Sequence, residues 1–260
     1  MYLMEHPDEG LRMEKRDHAE ALQHIRLAGI RAGDRVLDAG WASGWLSRLI
    51  AEQSFPGEVV GVDLSQERIS LAQQRAQEQG LTNVSFVASN VCTLPFPDNS
   101  FDVTFSRYTF EYLGDPQAAL AELVRVTRPG GRVVVADLDG NGVFHYPLPK
   151  ELEEGLTRLN FVLSKAGFDP YIGRKLFHLF MQFPFARVQV EALPHHLIAG
   201  EASVEQLENW ETKLRVVRPA ALKAFRSTEE YDSFVSACLA LLRQRDVLSY
   251  SVTFMVIGVK

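Results

Sequence analysis

The chain has 260 residues, 46% hydrophobic and 23% charged, enough to bury a substantial core in one large domain or in a domain with a sub-domain. A formal net charge of -6 without any Lys/Arg run argues against a nucleic-acid partner, which would need basic surface to neutralise phosphates. Two distant cysteines without metal-ligand spacing, Cys92 and Cys238, speak against a disulfide framework and a metal site, and the polar N-terminus and lack of a bilayer-length apolar run suit a cytoplasmic chain with no membrane segment.

From residue 35 to about 138, apolar runs alternate with helical patterns. "RVLDAG" reads as a buried strand that feeds a helix with Leu46, Leu49 and Ile50 on one face. "EVVGVD" is a second strand, and Ser65 caps the helix after it, which Gly80 closes. "NVSFVAS" and "FDVTFSR" are the third and fourth strands. Asp115 and Pro116 start a further helix that stops at Pro129-Gly130-Gly131, and "RVVVADL" is the fifth strand. Strands alternating with helices imply parallel βαβ units, so the predicted fold is α/β, a doubly wound Rossmann-like sheet.

The tail changes character. "GNGVFHYPLP" reads as a loop, followed by helices through "KELEEGLTRLNFVLSKAG" and "GRKLFHLFMQ". "ARVQVEAL" alternates like a strand and "LSYSVTFMVIGVK" forms the last one; His195-His196 reads as a loop feature between them. The intervening residues have helical spacing, with Leu207, Trp210, Leu214 and Val217 on one face and Phe234, Cys238 and Leu241 on another. Such stripes belong to helix packing, and a long helical insertion between strands is also a substrate-lid candidate. The lid is expected at about 141–183 and 194–247.

Ligands of such sheets sit at the carboxyl ends of the strands, beside the first one. The loop after Asp38, "GWASG", lies there, and Asp63 ends the second strand where a carboxylate accepts ribose hydroxyls. A NAD-binding domain shows much the same pair. The spacing of Gly40 and Gly44 fits a G-x-G-x-G turn better than the dinucleotide G-x-G-x-x-G, which counts against a NAD-dependent oxidoreductase. With "GVDLSQERI", "LPFPDNSFD" and "RPGG" following in order, residues 30 to 140 resemble the class I S-adenosylmethionine-dependent methyltransferases, with a ubiquinone/menaquinone-methyltransferase-like core.

The resemblance implies a seven-stranded sheet with an antiparallel last strand, an N-terminal helical cap over residues 1–30 with Tyr2, Met4 and Arg12 near the pocket, and a methyltransferase domain over 31–260. S-adenosyl-L-methionine is then the cofactor. Gly40, Ala42 and Gly44 would face its methionine portion, Trp41 would line that pocket or fill space beneath the loop, and Asp38 would hold the loop and orient the amino group. Asp63 would take the ribose hydroxyls, Leu64 the adenine face, Asn90 the adenine amino group, the Val91 backbone its ring nitrogen, and Ser106 would lie near the methionine end. Three positions depart from the family pattern: a small residue or cysteine is commoner at Trp41, glycine at Ala42 and aspartate at Asn90. Asn90 keeps an acceptor oxygen. Ala42 would cost about 1 kcal/mol if its φ is positive.

The expected reaction is in-line methyl transfer to an O, N or C nucleophile of a small-molecule acceptor. His145 leads as a base because it follows a strand end in a glycine-containing loop; Tyr108 and Tyr112 are the other catalytic candidates. Glu111, Tyr146, Tyr171, Arg174 and His178 lie in the same stretches and are each as readily structural. A protein or RNA methyltransferase would show an extended docking surface, and a non-catalytic relative would keep the fold with a decayed loop. Whether the lid closes alone or within a homodimer is left open.

Overall fold

The computed structural model describes residues 18–40 and 44–260, with the side chains of 141–143 excepted. Seven strands, β1 (Val36–Ala39), β2 (Val59–Asp63), β3 (Val84–Ala88), β4 (Phe101–Arg107), β5 (Thr127–Tyr146), β6 (Arg187–Ala199) and β7 (Leu248–Val259), form one sheet in the order β3-β2-β1-β4-β5-β7-β6. β7 runs antiparallel to both of its neighbours, β5 and β6, and the remaining pairs are parallel. This is the predicted seven-stranded arrangement with an antiparallel last strand.

Eight α-helices are described: α1 (His18–Ala28), α2 (Trp45–Ser54), α3 (Gln66–Glu78), α4 (Pro116–Val126), α5 (Lys150–Lys165), α6 (Ile172–Phe180), α7 (Val204–Ala221) and α8 (Thr228–Leu241). Local chemistry fixes their starts. Ser65 accepts from the Arg68 amide at 3.3 Å and Asp115 from Ala118 at 2.9 Å, while Ser203 and Gln206 form a reciprocal capping box.

Strand alternation sorts side chains between two cores. Leu37, Val60, Val62, Val133 and Val135 face α4 and α6, whereas Val36, Val59, Val134 and Ala136 face α1 and α2. β4 changes sides once: Phe101 joins the first core, but Val103 and Phe105 join the second. The change coincides with a register shift against β5, whose partners jump from Thr127 to Arg132. "RPGG" is therefore a bulge within β5 rather than a turn before it.

Of the cap expected over 1–30, residues 1–17, with Tyr2, Met4 and Arg12, lie outside the described residues, while His18–Ala28 forms α1, whose Ala21, Ile25 and Ala28 are buried in the sheet core. Three further expectations are corrected. "GNGVFHY" is not a loop: β5 continues to Tyr146 because the long β7 offers it a partner, with an irregular register between Asp139 and Phe144. The helix over "GRKLFHLF" is a layer helix, its Ile172, Leu176 and Phe180 packed in the sheet core, so it is no part of a lid. His195 and His196 belong to β6, not to a loop. The other helices of the expected lid stretches, α5, α7 and α8, share an apolar cluster including Leu159, Leu214, Tyr231 and Phe234.

Candidate functional site

The carboxyl ends of β1, β2 and β4 gather most of the cofactor residues inferred from the sequence. Gly40 leaves β1 at φ 86, and a Cβ there would lie 2.2 Å from Thr109 Oγ1, so only glycine fits. Thr109 Oγ1 donates to the Gly40 carbonyl at 3.0 Å, which ties the segment after β4 to the loop after β1. Gly44 begins α2 at φ 69, a left-handed conformation. Trp41 and Ala42 lie outside the described residues.

Asp38 is buried and accepts from Ser47 Oγ at 2.6 Å. Burial pushes its carboxyl up to about 7, with Asp63 adding to the rise and Ser47 and Arg107 opposing it. Asp63 ends β2; its Oδ1 accepts from the Ser65 amide at 2.9 Å and from Arg68 Nη2 at 2.7 Å. Leu64 beside it is exposed. Asn90 uses Oδ1 to accept from the Cys92 amide at 2.9 Å, and the Val91 side chain is core. Ser106 spends its hydroxyl on the Ala39 carbonyl at 2.9 Å, so its side chain braces the β1 end rather than facing outward.

Between the sheet and α5, α7 and α8 lies a cavity of about 1060 Å³, counted out through its mouth and reached by Tyr108, the neighbour of Thr109. All three catalytic candidates, Tyr108, Tyr112 and His145, line it. Leu152, Leu159, Leu163, Leu214 and Leu241 make the wall beneath the helices largely apolar. The polar groups lie toward the sheet. His145 Nδ1 is 2.7 Å from Ser249 Oγ, and Tyr112 packs against Phe168. His196 Nε2 accepts from Lys213 Nζ at 2.6 Å beside Trp210. Of the other candidates, buried Glu111 reaches the cavity, whereas Tyr146 and His178 are exposed. Arg174 is paired with Asp139 at 2.6 Å and covers Tyr171.

A buried polar cluster joins the two halves. Arg107 follows the side-chain alternation of Val103 and Phe105 toward α1, where Nη2 donates to Glu20 Oε1 at 2.5 Å and Nε to His24 Nδ1 at 2.9 Å. Tyr108 sits at φ 56, a costly conformation for a bulky residue, and is held by its hydroxyl: Glu20 Oε1 lies at 2.5 Å, Thr253 Oγ1 at 3.0 Å and His195 Nδ1 at 3.2 Å. His195 Nδ1 is also 3.1 Å from Glu20 Oε2. Burial would raise Glu20, but the hydrogen bond and charge of His195, with Arg107 and Tyr108, hold it well below the carboxylate range. Burial lowers His24 to about 3 and His195 to about 4, and pushes the Tyr108 phenol up. Both imidazoles are therefore neutral near pH 7.

Glu20, His24, Arg107 and His195 are the members of this cluster that sequence reading misses. One signal was present: a charged residue, Arg107, continues a strand whose other inward positions are apolar. Among the described residues no cluster of His, Cys, Asp and Glu has the makings of a metal site, and no helix is long and apolar enough to cross a membrane.

This geometry agrees with comparisons to known proteins. A family described as "Methyltransferase domain" matches residues 30–210. An uncharacterized methyltransferase of Schizosaccharomyces pombe is 35% identical over 164 residues, 60% of this chain and 58% of that protein. The ubiquinone/menaquinone biosynthesis C-methyltransferase UbiE of Yersinia enterocolitica is 34% identical over 149 residues, 55% of this chain and 56% of its own length. The chain thus spans little more than half the length of these curated relatives. The crystal structure of YcgJ from Bacillus subtilis superposes with a TM-score of 0.63 at 23% identity, covering 94% of this chain and 99% of that one, which shows the shared fold. With a family match over most of its length and the strand order and loop placement described above, the chain belongs to the methyltransferase domain family, within the class I S-adenosylmethionine-dependent methyltransferases.

Proposed function

We propose that the chain binds S-adenosylmethionine at the β1–β2–β4 ends and transfers its methyl group to a small molecule held in the cavity under α5, α7 and α8. The observation that carries this reading is Thr109. Its hydroxyl is bonded to Gly40 of the cofactor loop, and its neighbour Tyr108 lines the cavity, so donor and acceptor sites meet at one peptide.

The residues present fit the cofactor. Gly40 keeps the loop clear of a side chain, Asp63 offers a carboxylate at a strand end, and exposed Leu64 supplies an apolar face for the adenine. Asn90 and the Val91 backbone would complete the adenine end, while Trp41, Ala42 and Gly44 follow Gly40 in the loop. When bound, the cofactor supplies an electron-poor methyl on a sulfonium. The chain's own part is to align the acceptor and exclude water, and the helical wall does both. Tyr108, Tyr112 and His145 then contact the acceptor, and the apolar wall selects a largely apolar molecule, in keeping with the ubiquinone/menaquinone biosynthesis for which the UbiE relative is named.

Calorimetric titration with S-adenosylmethionine, S-adenosylhomocysteine and NAD tests the cofactor half. Micromolar binding of both adenosyl ligands and none of NAD is expected. Failure of either adenosyl ligand to bind would overturn the reading in favour of a non-catalytic relative.

A further inference from the structure

Resting on the methyl-transfer reading above, we propose that His195 is the general base of this site, positioned by Glu20, and that the acceptor therefore carries an ionisable hydroxyl. The side chains concerned come from opposite ends of the chain. Glu20 lies on α1, His195 on β6, and they meet because Arg107 draws the α1 carboxylate to the end of β4.

The hydrogen-bond pattern fixes the tautomer. Glu20 is an anion and can only accept, so His195 must carry its proton on Nδ1 to reach Oε2 at 3.1 Å. Tyr108 and Arg107 take Oε1, and Thr253 donates to the Tyr108 oxygen. Nε2 is then left with its lone pair. It has no hydrogen-bond partner among the described residues, and the ring lines the cavity. A carboxylate holding one imidazole nitrogen so that the other can take a proton is a base-and-orienter arrangement.

The remaining histidines at the site are arranged differently. His145 Nδ1 meets Ser249, a neutral hydroxyl, at 2.7 Å. His196 accepts on Nε2 from the Lys213 ammonium, which occupies the lone pair a base needs. His24 accepts from Arg107 and is sealed in the core. The charged and titratable groups around His195 are thus Glu20 and His24 on α1, Arg107 and Tyr108 on β4, His196 on β6 and Lys213 on α7. Burial, aided by the charges of Lys213 and Arg107, keeps the ring unprotonated, and Glu20 opposes them by favouring the imidazolium.

In the step, the acceptor O–H bond breaks and its proton passes to His195 Nε2. The freed oxygen pair forms the new O–CH₃ bond as the C–S bond breaks, its electrons leaving with sulfur as a neutral thioether. The imidazolium is stabilised by Glu20 until it returns its proton to solvent.

The test uses the full chain with S-adenosylhomocysteine bound and 4-nitrophenol as probe, read by imidazole ¹⁵N NMR and by the phenolate absorbance. The expected signature is an Nδ1–H tautomer of His195 in the free protein. On adding the probe, the signal should turn to imidazolium and the phenolate band should rise. His195→Asn should lose the band while still binding S-adenosylhomocysteine. Glu20→Gln should retain binding but shift the tautomer and move the pH profile of phenolate formation. With a methylatable phenol, His195→Asn should lose about a hundredfold or more in rate. An Nε2–H tautomer, a phenolate band undiminished in His195→Asn, or no ionisation of the probe at all would overturn the assignment. S-adenosylhomocysteine binding with any of these results leaves the methyl-transfer reading standing, whereas its absence brings that reading down independently.

Discussion

Gly40→Ala is the most direct probe of how the loop after β1 is tied to the segment beyond β4. The new Cβ would sit 2.2 Å from Thr109 Oγ1, 2.4 Å from Cγ2 and 2.8 Å from Cβ, on a backbone at φ 86. A non-glycine residue at positive φ costs about 1 kcal/mol. Overpacking against a held side chain adds about 1–3 kcal/mol, and displacing Thr109 from the Gly40 carbonyl loses roughly another 1 kcal/mol. The sum is about 3–5 kcal/mol, to be read as a shift in urea midpoint at unchanged slope. Thr109→Gly removes all three overlapping atoms, so in that background Gly40→Ala should cost only the backbone share, about 1 kcal/mol. The cycle therefore predicts a coupling of roughly 2–4 kcal/mol between the two positions. Equal costs of Gly40→Ala in both backgrounds would refute the claim that Thr109 is what closes the loop against a side chain.

Arg107→Met should destabilise the fold by about 3–5 kcal/mol by taking the buried guanidinium from partly buried Glu20, and Glu20→Gln in the same chain should recover part of that in thermal melts. Asp38 contributes a pH dependence of known sign. Its folded value is raised from 3.8 to about 7, so its stabilising share is complete below pH 3.8 and is lost as pH rises toward 7. Asp38→Asn should flatten the fall in stability over that window by at most about 1.4 kcal/mol per pH unit, measured by denaturant titration at several pH values; an unchanged slope would count against a protonated Asp38. Asp63→Asn should weaken S-adenosylmethionine binding about tenfold or more by calorimetry, since an amide offers one acceptor oxygen where the carboxylate offers two.

The sheet was legible because β1 and β2 are fully buried runs, β6 and β7 alternate, and Ser65 and Asp115 cap the helices as their side chains require. β5 beyond Leu138 was not, since "DGNG" has turn chemistry and only the length of β7 makes it strand. α1 reads as a polar N-terminal helix, and its narrow stripe of Ala21, Ile25 and Ala28 is what places it in the core. Within the candidate site, Asp38, Gly40 and Asp63 could be nominated because short-range patterns mark them. Glu20 and His195 were missed because they are 175 residues apart, and nothing local in either segment announces the contact.

The irregularity in β6 gives the fold an unusual lever. In a regular strand, neighbours point to opposite faces, yet His195 and His196 both border the cavity, with His196 at φ 50 where the register to β7 breaks before Ile198. The lining on this side thus depends on how many residues the strand carries, not only on which ones. Deleting one residue there would restore regular alternation and exchange an inward imidazole for an outward one without any substitution. Length variation at this point is therefore a route by which a chain of this fold could acquire a different acceptor while its methyl-donor end stayed intact.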